Sequence, residues 1–377
     1  MHSGGLAMGL TKIRLGDYIR RSTVNNRNLQ YGEDLIVGVN NTGVFTTPKG
    51  STNGVNLKPY KIVETGAFVY NPTRLDLGSI AYRTEGLCIV SHLYMVFYLT
   101  DEGKKIIDPQ WLFIYFRRKE FQREVTFRNF GSQRPEFNFE DMSDIVIPLP
   151  LIDIQQKYVA VYNAMLANQQ SYERGLEDLK LTCDAYIDKL KHKRTLVEIG
   201  DFIQQINNKN IDNQKYRFAG LSMDNYFIDS IADDTELDFT KYKIVEPNEY
   251  GAVLMKVGRD ARLTIARNTS NERYLISPAY YTFRITGIMP EYFMACVNRP
   301  EFERRGWFSC DTSARGSLSW GEFMKLKIPN ATDEEQSIIS ELYKVQVIRI
   351  GINEKLKTQI KDLCPILIKG SIEEASR

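Results

Sequence analysis

Residues 145–155, IVIPLPLIDIQ, and residues 326–336, LKIPNATDEEQ, hold matching places in two halves of one chain, and the long run beyond each decides the fold. Proline is disfavoured inside a helix and tolerated just before one, so Pro148, Pro150 and Pro329 mark the change from sheet to helix, with Asp153 and Asp333 able to cap. From Ile154 onward apolar residues recur at Tyr158, Val161, Met165, Tyr172, Leu176, Leu179, Cys183, Tyr186 and Leu190, in steps mostly of three and four. That spacing is a helical seam rather than a sheet face. The second stretch places Ile338, Leu342, Val345, Ile352, Leu356, Ile360 and Leu363 in the same way, and Pro365 is expected to end it. Asn168 and Arg349 interrupt the two seams at matching places, where polar groups fix register. A helix from 152 to 190 would be about 58 Å long, too long for the domain before it to cover. Its economical partner is the other helix, antiparallel; the alternative is that each helix folds back on its own domain.

Working outward, the whole chain is duplicated. Residues 15–19 read LGDYI and residues 199–203 read IGDFI; residues 60–63 and 242–245 are both YKIV. Late in each copy Arg134 and Arg315, Pro148 and Pro329, Gln155 and Gln336, and Cys183 and Cys364 keep a constant offset of 181 positions. Neither helix has therefore gained or lost a residue. A repeat of this length is a domain with its own core, not a solenoid unit. Each copy opens with a basic segment and an Asn-rich turn region, residues 25–28 and 207–210. Strand-like runs rich in Val, Ile, Tyr and Phe come next at 34–39, 61–64, 67–70, 79–82, 88–90 and 94–98, and in copy two at 217–221, 242–245, 252–257, 263–266 and 280–285. Residues 111–120 and 291–297 read as helices. The fold class expected is α+β: two similar globular domains at 1–151 and 195–332, helices at 152–194 and 333–370 forming an antiparallel coiled coil, and a tail at 371–377.

Composition sets outer bounds. The 377 residues are 43% hydrophobic and 25% charged, enough for two ordinary cores. The start, MHSGGLAMGL, has neither a basic leader nor an apolar run, and no window reaches the roughly 18 apolar residues of a membrane helix, so a cytoplasmic protein is expected. Five widely spaced cysteines, Cys88, Cys183, Cys296, Cys310 and Cys364, suit reduced thiols better than disulfides or zinc. The formal charge of +2 neither demands nor excludes a polyanionic partner, so any nucleic-acid surface must come from local clustering. Arg117, Arg118, Lys119, Arg123, Arg128 and Arg134 cluster with Phe116, Phe121, Phe127 and Phe130; Arg299, Arg304, Arg305 and Arg315 surround Phe302, Trp307 and Phe308. Such clusters fit a phosphate-binding surface, and equally a solvated amphipathic helix.

Enzymatic signatures are missing from the sequence. It has no glycine-rich phosphate loop, HExxH or CxxC, and His2, His92 and His192 are isolated. His92 stands where copy two has Pro278, which favours a structural role. Ser91 and Ser277 are shared but have no base signature nearby. Residues 71–74, NPTR, lack the second proline and the aromatic residue of an adenine methyltransferase tetrapeptide.

Taken in order, these phrases resemble the specificity subunits of type I restriction-modification systems over nearly the whole chain. The resemblance rests on LGDYI and IGDFI, on NPTRLDLGSIAYR through SHLYMVFYL, on GAVLMKVGRDARLTIA through SPAYYTFRI, and on the loops GSQRPEFNFEDM and SARGSLSWGEFM before the proline exits. His92 where a proline is usual, and the second exit, IPNATDEEQ, without a proline-rich continuation, are departures that bear on local geometry. The resemblance implies a non-catalytic reader of double-stranded DNA, each domain taking one half-site, with the helical rod setting the unread gap. It implies two methyltransferase subunits docked on the helices and domains, with motor-nuclease subunits added to them. No cofactor is expected on this chain; S-adenosylmethionine, ATP and magnesium belong to those partners. A specificity chain of a fused cleavage-methylation enzyme, or a scaffold that binds no DNA, are the alternatives. Base contacts are expected from Arg74, Arg83, Gln133 and Arg134 in domain one and from Arg259, Arg262, Arg267 and Arg315 in domain two. Lys119, Arg123, Arg304 and Arg305 are expected on phosphate, and arginines that merely brace their own loops are the competing reading.

Overall fold

The computed structural model describes residues 9–48, 50–129, 136–230, 238–255, 257, 262–311 and 316–377. The chain divides into two compact units, residues 1–171 with 353–377 and residues 172–352. Two long helices, α5 (Ile152–Lys193) and α9 (Asp333–Ala375), each contribute to both units and so link two α+β domains.

Unit 1 begins with β1 (Leu10–Arg14), which pairs antiparallel with β10 (Val146–Pro150), placing Ile13 opposite Ile147. The proline-bearing exit is thus itself a strand. A two-stranded ribbon leaves edge positions where Pro148 and Pro150 need donate no hydrogen bond. A four-stranded antiparallel sheet runs in the order β2 (Ile19–Arg21), β9 (Met95–Leu99), β6 (Phe68–Tyr70), β7 (Ile80–Tyr82). Beside it β5 (Lys61–Val63) pairs with β8 (Cys88–Val90), and β3 (Gly38–Val39) with β4 (Phe45–Thr46). The run at 34–39 is a strand only at its end, since residues 33–35 form a 3-10 turn. Helices α1 (Asp101–Ile106), α2 (Pro109–Phe116), α3 (Lys119–Arg128) and α4 (Phe139–Ser143) complete the domain. The single helix expected at 111–120 is therefore two helices. Arg118 takes an extended conformation between them, and the buried Arg117 turns inward instead of continuing the face.

Unit 2 repeats the plan. Strand β11 (Leu196–Glu198) pairs with β20 (Lys327–Pro329), and the sheet β12 (Ile203–Ile206), β19 (Tyr281–Ile285), β16 (Tyr250–Val253), β17 (Thr264–Arg267) has the same antiparallel order. Strand β15 (Lys243–Val245) pairs with β18 (Tyr274–Ile276), which also takes β13 (Arg217–Leu221) in parallel, and β13 takes β14 (Phe227–Asp229). In unit 1 a single parallel bridge, Ile36 to Ile89, stands at the matching place. The strand expected at 252–257 is shifted to Tyr250–Val253. Helices α6 (Pro290–Val297), α7 (Pro300–Phe308) and α8 (Trp320–Met324) precede β20. Stacked rings mark both cores: Phe68 on Phe97 at 5.0 Å, and Tyr250 on Phe283 at 5.1 Å.

The long helices pair antiparallel within each unit. In unit 1, Lys157 bonds to Glu374 at 2.8 Å, Tyr158 lies over Gly370 so closely that an added Cβ would come within 2.8 Å of its ring, and Gln169 bonds to Asn353 at 3.1 Å. In unit 2, the Arg349 guanidinium lies over Tyr172 and against Gly175, and Arg194 bonds to Glu335 at 2.9 Å. The stripe buried on α5 runs Gln155, Val159, Gln169, Cys183, Ile187 and Leu190; on α9 it includes Ile339, Asn353, Ile360, Cys364 and Ile368. Tyr158, Met165, Leu176, Leu179, Leu342 and Leu356 are half-buried beside it. Val161, Val345 and Ile352 are not on the stripe: they are 47%, 41% and 36% exposed. A spacing of three or four admits two neighbouring faces, and the sequence seam tracked the wrong one at those places. Asn168 is exposed and breaks no buried stripe, while Arg349, exposed as well, packs over Tyr172 at the rim of the helix pair. The buried polar pair is Gln169 with Asn353. Thr332, not Asp333, caps α9: its hydroxyl accepts from the Glu335 N–H at 3.4 Å while the Glu335 carboxylate accepts from the Thr332 N–H at 3.0 Å. Pro365 does not end α9, which continues to Ala375. An interior proline costs about 3 kcal/mol, but Cys364, Leu367, Ile368 and Ser371 are buried around it in unit 1, and that packing outweighs the loss.

Candidate nucleic-acid interface

Each unit presents a basic helix and the loops beside it, and side-chain hydrogen bonds hold those loops in place. In unit 1 the Arg117 guanidinium, reaching back from the end of α2, donates to the carbonyls of Asn41 and Gly78. Two loops are thereby fastened to one side chain. Gly43 and Gly78 have φ of +78° and +91°, and a Cβ on either would fall within about 3 Å of Arg117. Arg74 sits in the second loop, behind a turn in which Asn71 accepts from the Thr73 N–H and hydroxyl. Its side chain is exposed, with no partner among the described residues.

Unit 2 uses asparagines instead. Asn298, at the place of Arg117, accepts from the Asn225 amide at 2.7 Å and donates to Tyr343 at 2.7 Å, while Asn225 accepts from the Ile265 N–H at 2.9 Å. Asn225 has φ of +65°, a conformation asparagine tolerates.

The candidate cations fall into distinct surroundings. Lys119 and Arg304 are exposed and, like Arg74, meet no carboxylate among the described residues; Arg123 is exposed with an i,i+3 link to Glu120 at 3.2 Å. Four others are engaged. Arg83 donates to the Leu87 carbonyl and lies over the Phe45 ring at 5.3 Å. Arg267 is clamped between Glu291 and Asn248, both at 2.8 Å, Arg262 faces Glu303 at 3.4 Å, and Arg305 meets Glu301 at 2.8 Å. A guanidinium already neutralised by a half-buried carboxylate has less field to offer a phosphate. Gln133, Arg134, Arg259 and Arg315 lie outside the described residues. Sequence reading passed over Arg20 and Arg21, exposed on β2; the paired arginines of YIRRS were the available signal. Burial first and the Arg21 charge second lower the pKa of Lys61, which donates to the Tyr94 carbonyl at 2.5 Å. Lys243 does the same toward Tyr280, lowered by burial and then by Lys209.

The long helices carry a second surface. Val345, Val347, Ile348, Ile350 and Ile352 on α9 are all exposed, Ile348 at 63%. Runs of apolar side chains in water mark places where another surface fits. Among the described residues no group of His, Cys, Asp and Glu is placed to hold a metal ion, and no helix is long and apolar enough to cross a membrane. Cys88, Cys183, Cys296 and Cys364 are buried free thiols and Cys310 is half-buried; burial pushes Cys183 and Cys364 up to about 11.

Residues 11–181 match the family model of the type I restriction modification DNA specificity domain. Among solved structures the chain is similar to a type I restriction-modification system S subunit from M. genitalium, at 12% identity and a TM-score of 0.55, with 98% of each chain covered. It also aligns with the HsdS subunit from Thermoanaerobacter tengcongensis, at 16% identity, a TM-score of 0.38, and 97% and 96% coverage. A chain solved in work on complex assembly and conformational transition of the type I R-M system aligns at 15% identity, a TM-score of 0.46, and 100% and 99% coverage. No curated protein matches.

Proposed function

We propose that the chain is a specificity subunit of the type I restriction-modification kind, the family whose domain model its residues 11–181 match, and that its two units read the two halves of a divided DNA site and present the bound duplex to catalytic partners. One observation carries this reading: the domain matched by the family model is built twice, with the same sheet order, the same ring stack and the same helix start. A repeated reader linked by paired helices converts helix length into half-site separation. In this reading the chain performs no catalysis. It is a cytoplasmic subunit that docks two methyltransferase subunits and, through them, motor-nuclease subunits, which bring S-adenosylmethionine, ATP and magnesium. The exposed run on α9 supports docking of a protein there.

Among the cations, Lys119, exposed on a helix that repeats between units, suits phosphate, whereas Arg74 on its fastened loop suits a base edge. Arg83, Arg262, Arg267 and Arg305 hold the loops and helices in place. Gln133, Arg134, Arg259 and Arg315 stay candidates for base contact. The test is the salt dependence of duplex binding. Lys119→Ala should weaken binding to all sequences alike and reduce the slope of log K against log salt by about 0.9. Arg74→Ala should lower affinity for the cognate site more than for random duplex. A wild-type chain that shifts no duplex at low salt, with or without its methyltransferase subunit, would refute the reading.

A further inference from the structure

The basic helices carry an aromatic side chain that belongs to neither core. Phe127 on α3 is 81% exposed, and Phe308, 181 positions later on α7, is 79% exposed. The stretches 119–128, KEFQREVTFR, and 300–309, PEFERRGWFS, agree at four places: Glu120 with Glu301, Phe121 with Phe302, Arg123 with Arg304, and Phe127 with Phe308. Folding accounts for two of these. Phe121 and Phe302 are buried, and the glutamates sit in the first helical turn and hold neighbouring cations. It does not account for the two outward rings or for Arg304, and it gives Arg123 only an exposed link to Glu120. Arg123 and Phe127, like Arg304 and Phe308, stand four apart and share one outward face. Elsewhere on this surface the copies have diverged: Glu124 became Arg305, Thr126 became Trp307 and Arg128 became Ser309. Phe308 meets the ring of Trp307 edge-on, a contact that leaves most of its surface in water.

A feature kept in two domains that read different half-sites cannot distinguish bases, so it does something common to both. Phosphate asks for donors, and a phenyl ring has none. A protein pocket gains from the ring directly, and an aromatic with an arginine one turn away is the composition of an interface hot spot. We propose that Arg123 with Phe127, and Arg304 with Phe308, are two copies of one docking point, each inserting its ring into an apolar pocket of the same protein subunit. The arginine would face a carboxylate at the rim of that pocket. This rests on the proposed function, in which two methyltransferase subunits bind one chain.

The test uses the full chain and the purified methyltransferase subunit of the same system, with stoichiometry by native mass spectrometry and affinity by titration. Wild type is expected to bind two subunits. Phe127→Ser and Phe308→Ser should each leave one site intact and weaken the other about 30-fold or more, and the double variant should weaken both. Arg123→Glu and Arg304→Glu should weaken the same sites. Melting temperature and random-duplex affinity of the chain alone should not change on removal of either ring, because these side chains are exposed. Variants that keep both subunits at wild-type affinity would overturn the proposal alone. Variants that lose duplex binding while keeping both subunits would overturn it and assign the rings to DNA. A wild-type chain that binds no subunit would bring down the functional reading, and this inference with it.

Discussion

The same arginine position, at the start of the basic helix, is used in opposite ways by the two copies. Arg118 in unit 1 lies 3.8 Å over the ring of Tyr115. Arg299 in unit 2 is buried, reaching Asp184 at 3.2 Å and Asp188 at 2.5 Å on α5. The matching positions on α9 are Pro365 and Lys369, which offer unit 1 no carboxylate. Unit 1 fastens its helix end instead through the fully buried Trp111, whose indole donates to Ser371 at 3.0 Å. A second exchange has the same pattern: Arg194 and Glu335 of unit 2 stand where unit 1 has Leu10 and Ile154. The joint between domain and long helix is needed in both copies, but its chemistry is free, apolar in one and ionic in the other.

The glutamine at each helix start does not vary. Gln155 accepts from the Asp108 N–H at 2.8 Å and donates to the carbonyls of Ile106 and Pro150. Gln336 accepts from the Met289 N–H at 2.9 Å and donates to Ala331 at 3.0 Å. Both side chains are buried, so removal strands backbone groups that water cannot reach. Gln155→Ala should cost about 3 kcal/mol and Gln336→Ala about 2 kcal/mol, from the number of groups left unpaired. Urea unfolding of the two variants measures the order; equal and small losses would show that the latch is decorative and the comparison wrong.

The arginine exchange predicts an asymmetry of its own. Arg299→Met leaves Asp184 without its cation and Asp188 with only Lys191, 3.4 Å away, which should cost about 2 kcal/mol once the partial exposure of the aspartates is discounted. Arg118→Met gives up a ring contact and a hydrogen bond to the Tyr115 carbonyl, and should cost about 0.5–1 kcal/mol. Similar losses in the two variants would mean that the ion pairs of unit 2 add nothing beyond the packing of the arginine stem.

Much of this was legible in the residues. The duplication, the α+β class and the antiparallel helices came from phrases and spacing, because burying one stripe of a long helix imposes a period that a sequence displays. Membership of the stripe was not legible. Val161, Val345 and Ile352 satisfy the spacing as well as Val159 or Ile339 do, and only the packed partner chooses between faces about 100° apart. Pro365 misled for a related reason: its penalty is local and visible, while the burial of Leu367, Ile368 and Ser371 that outweighs it is not. At the candidate interface, charge was legible and occupancy was not. Arg74 and Arg267 look alike in sequence, yet one is unpaired among the described residues and the other is held by Glu291 and Asn248.

The smallest expected effect tests the ionic joint by titration. Hydrogen bonds from Arg194 first, then from the Thr332 N–H, hold the Glu335 carboxyl at about 2. A carboxylate whose pKa is depressed on folding favours the native state above its unfolded value near 4.5, and that contribution fades as the pH falls toward 2. Glu335→Gln should therefore lower the melting temperature at pH 6 to 7, and the gap to wild type should narrow steadily between about pH 4.5 and pH 2. Unit 1 has Ile154 at this place, so Ile154→Val should lower stability by an amount that does not change across the same range. A gap for Glu335→Gln that stayed constant from about pH 6 to pH 3 would mean that the glutamate acts only as the helix cap shared with Thr332, and that the two joints differ in composition but not in physics.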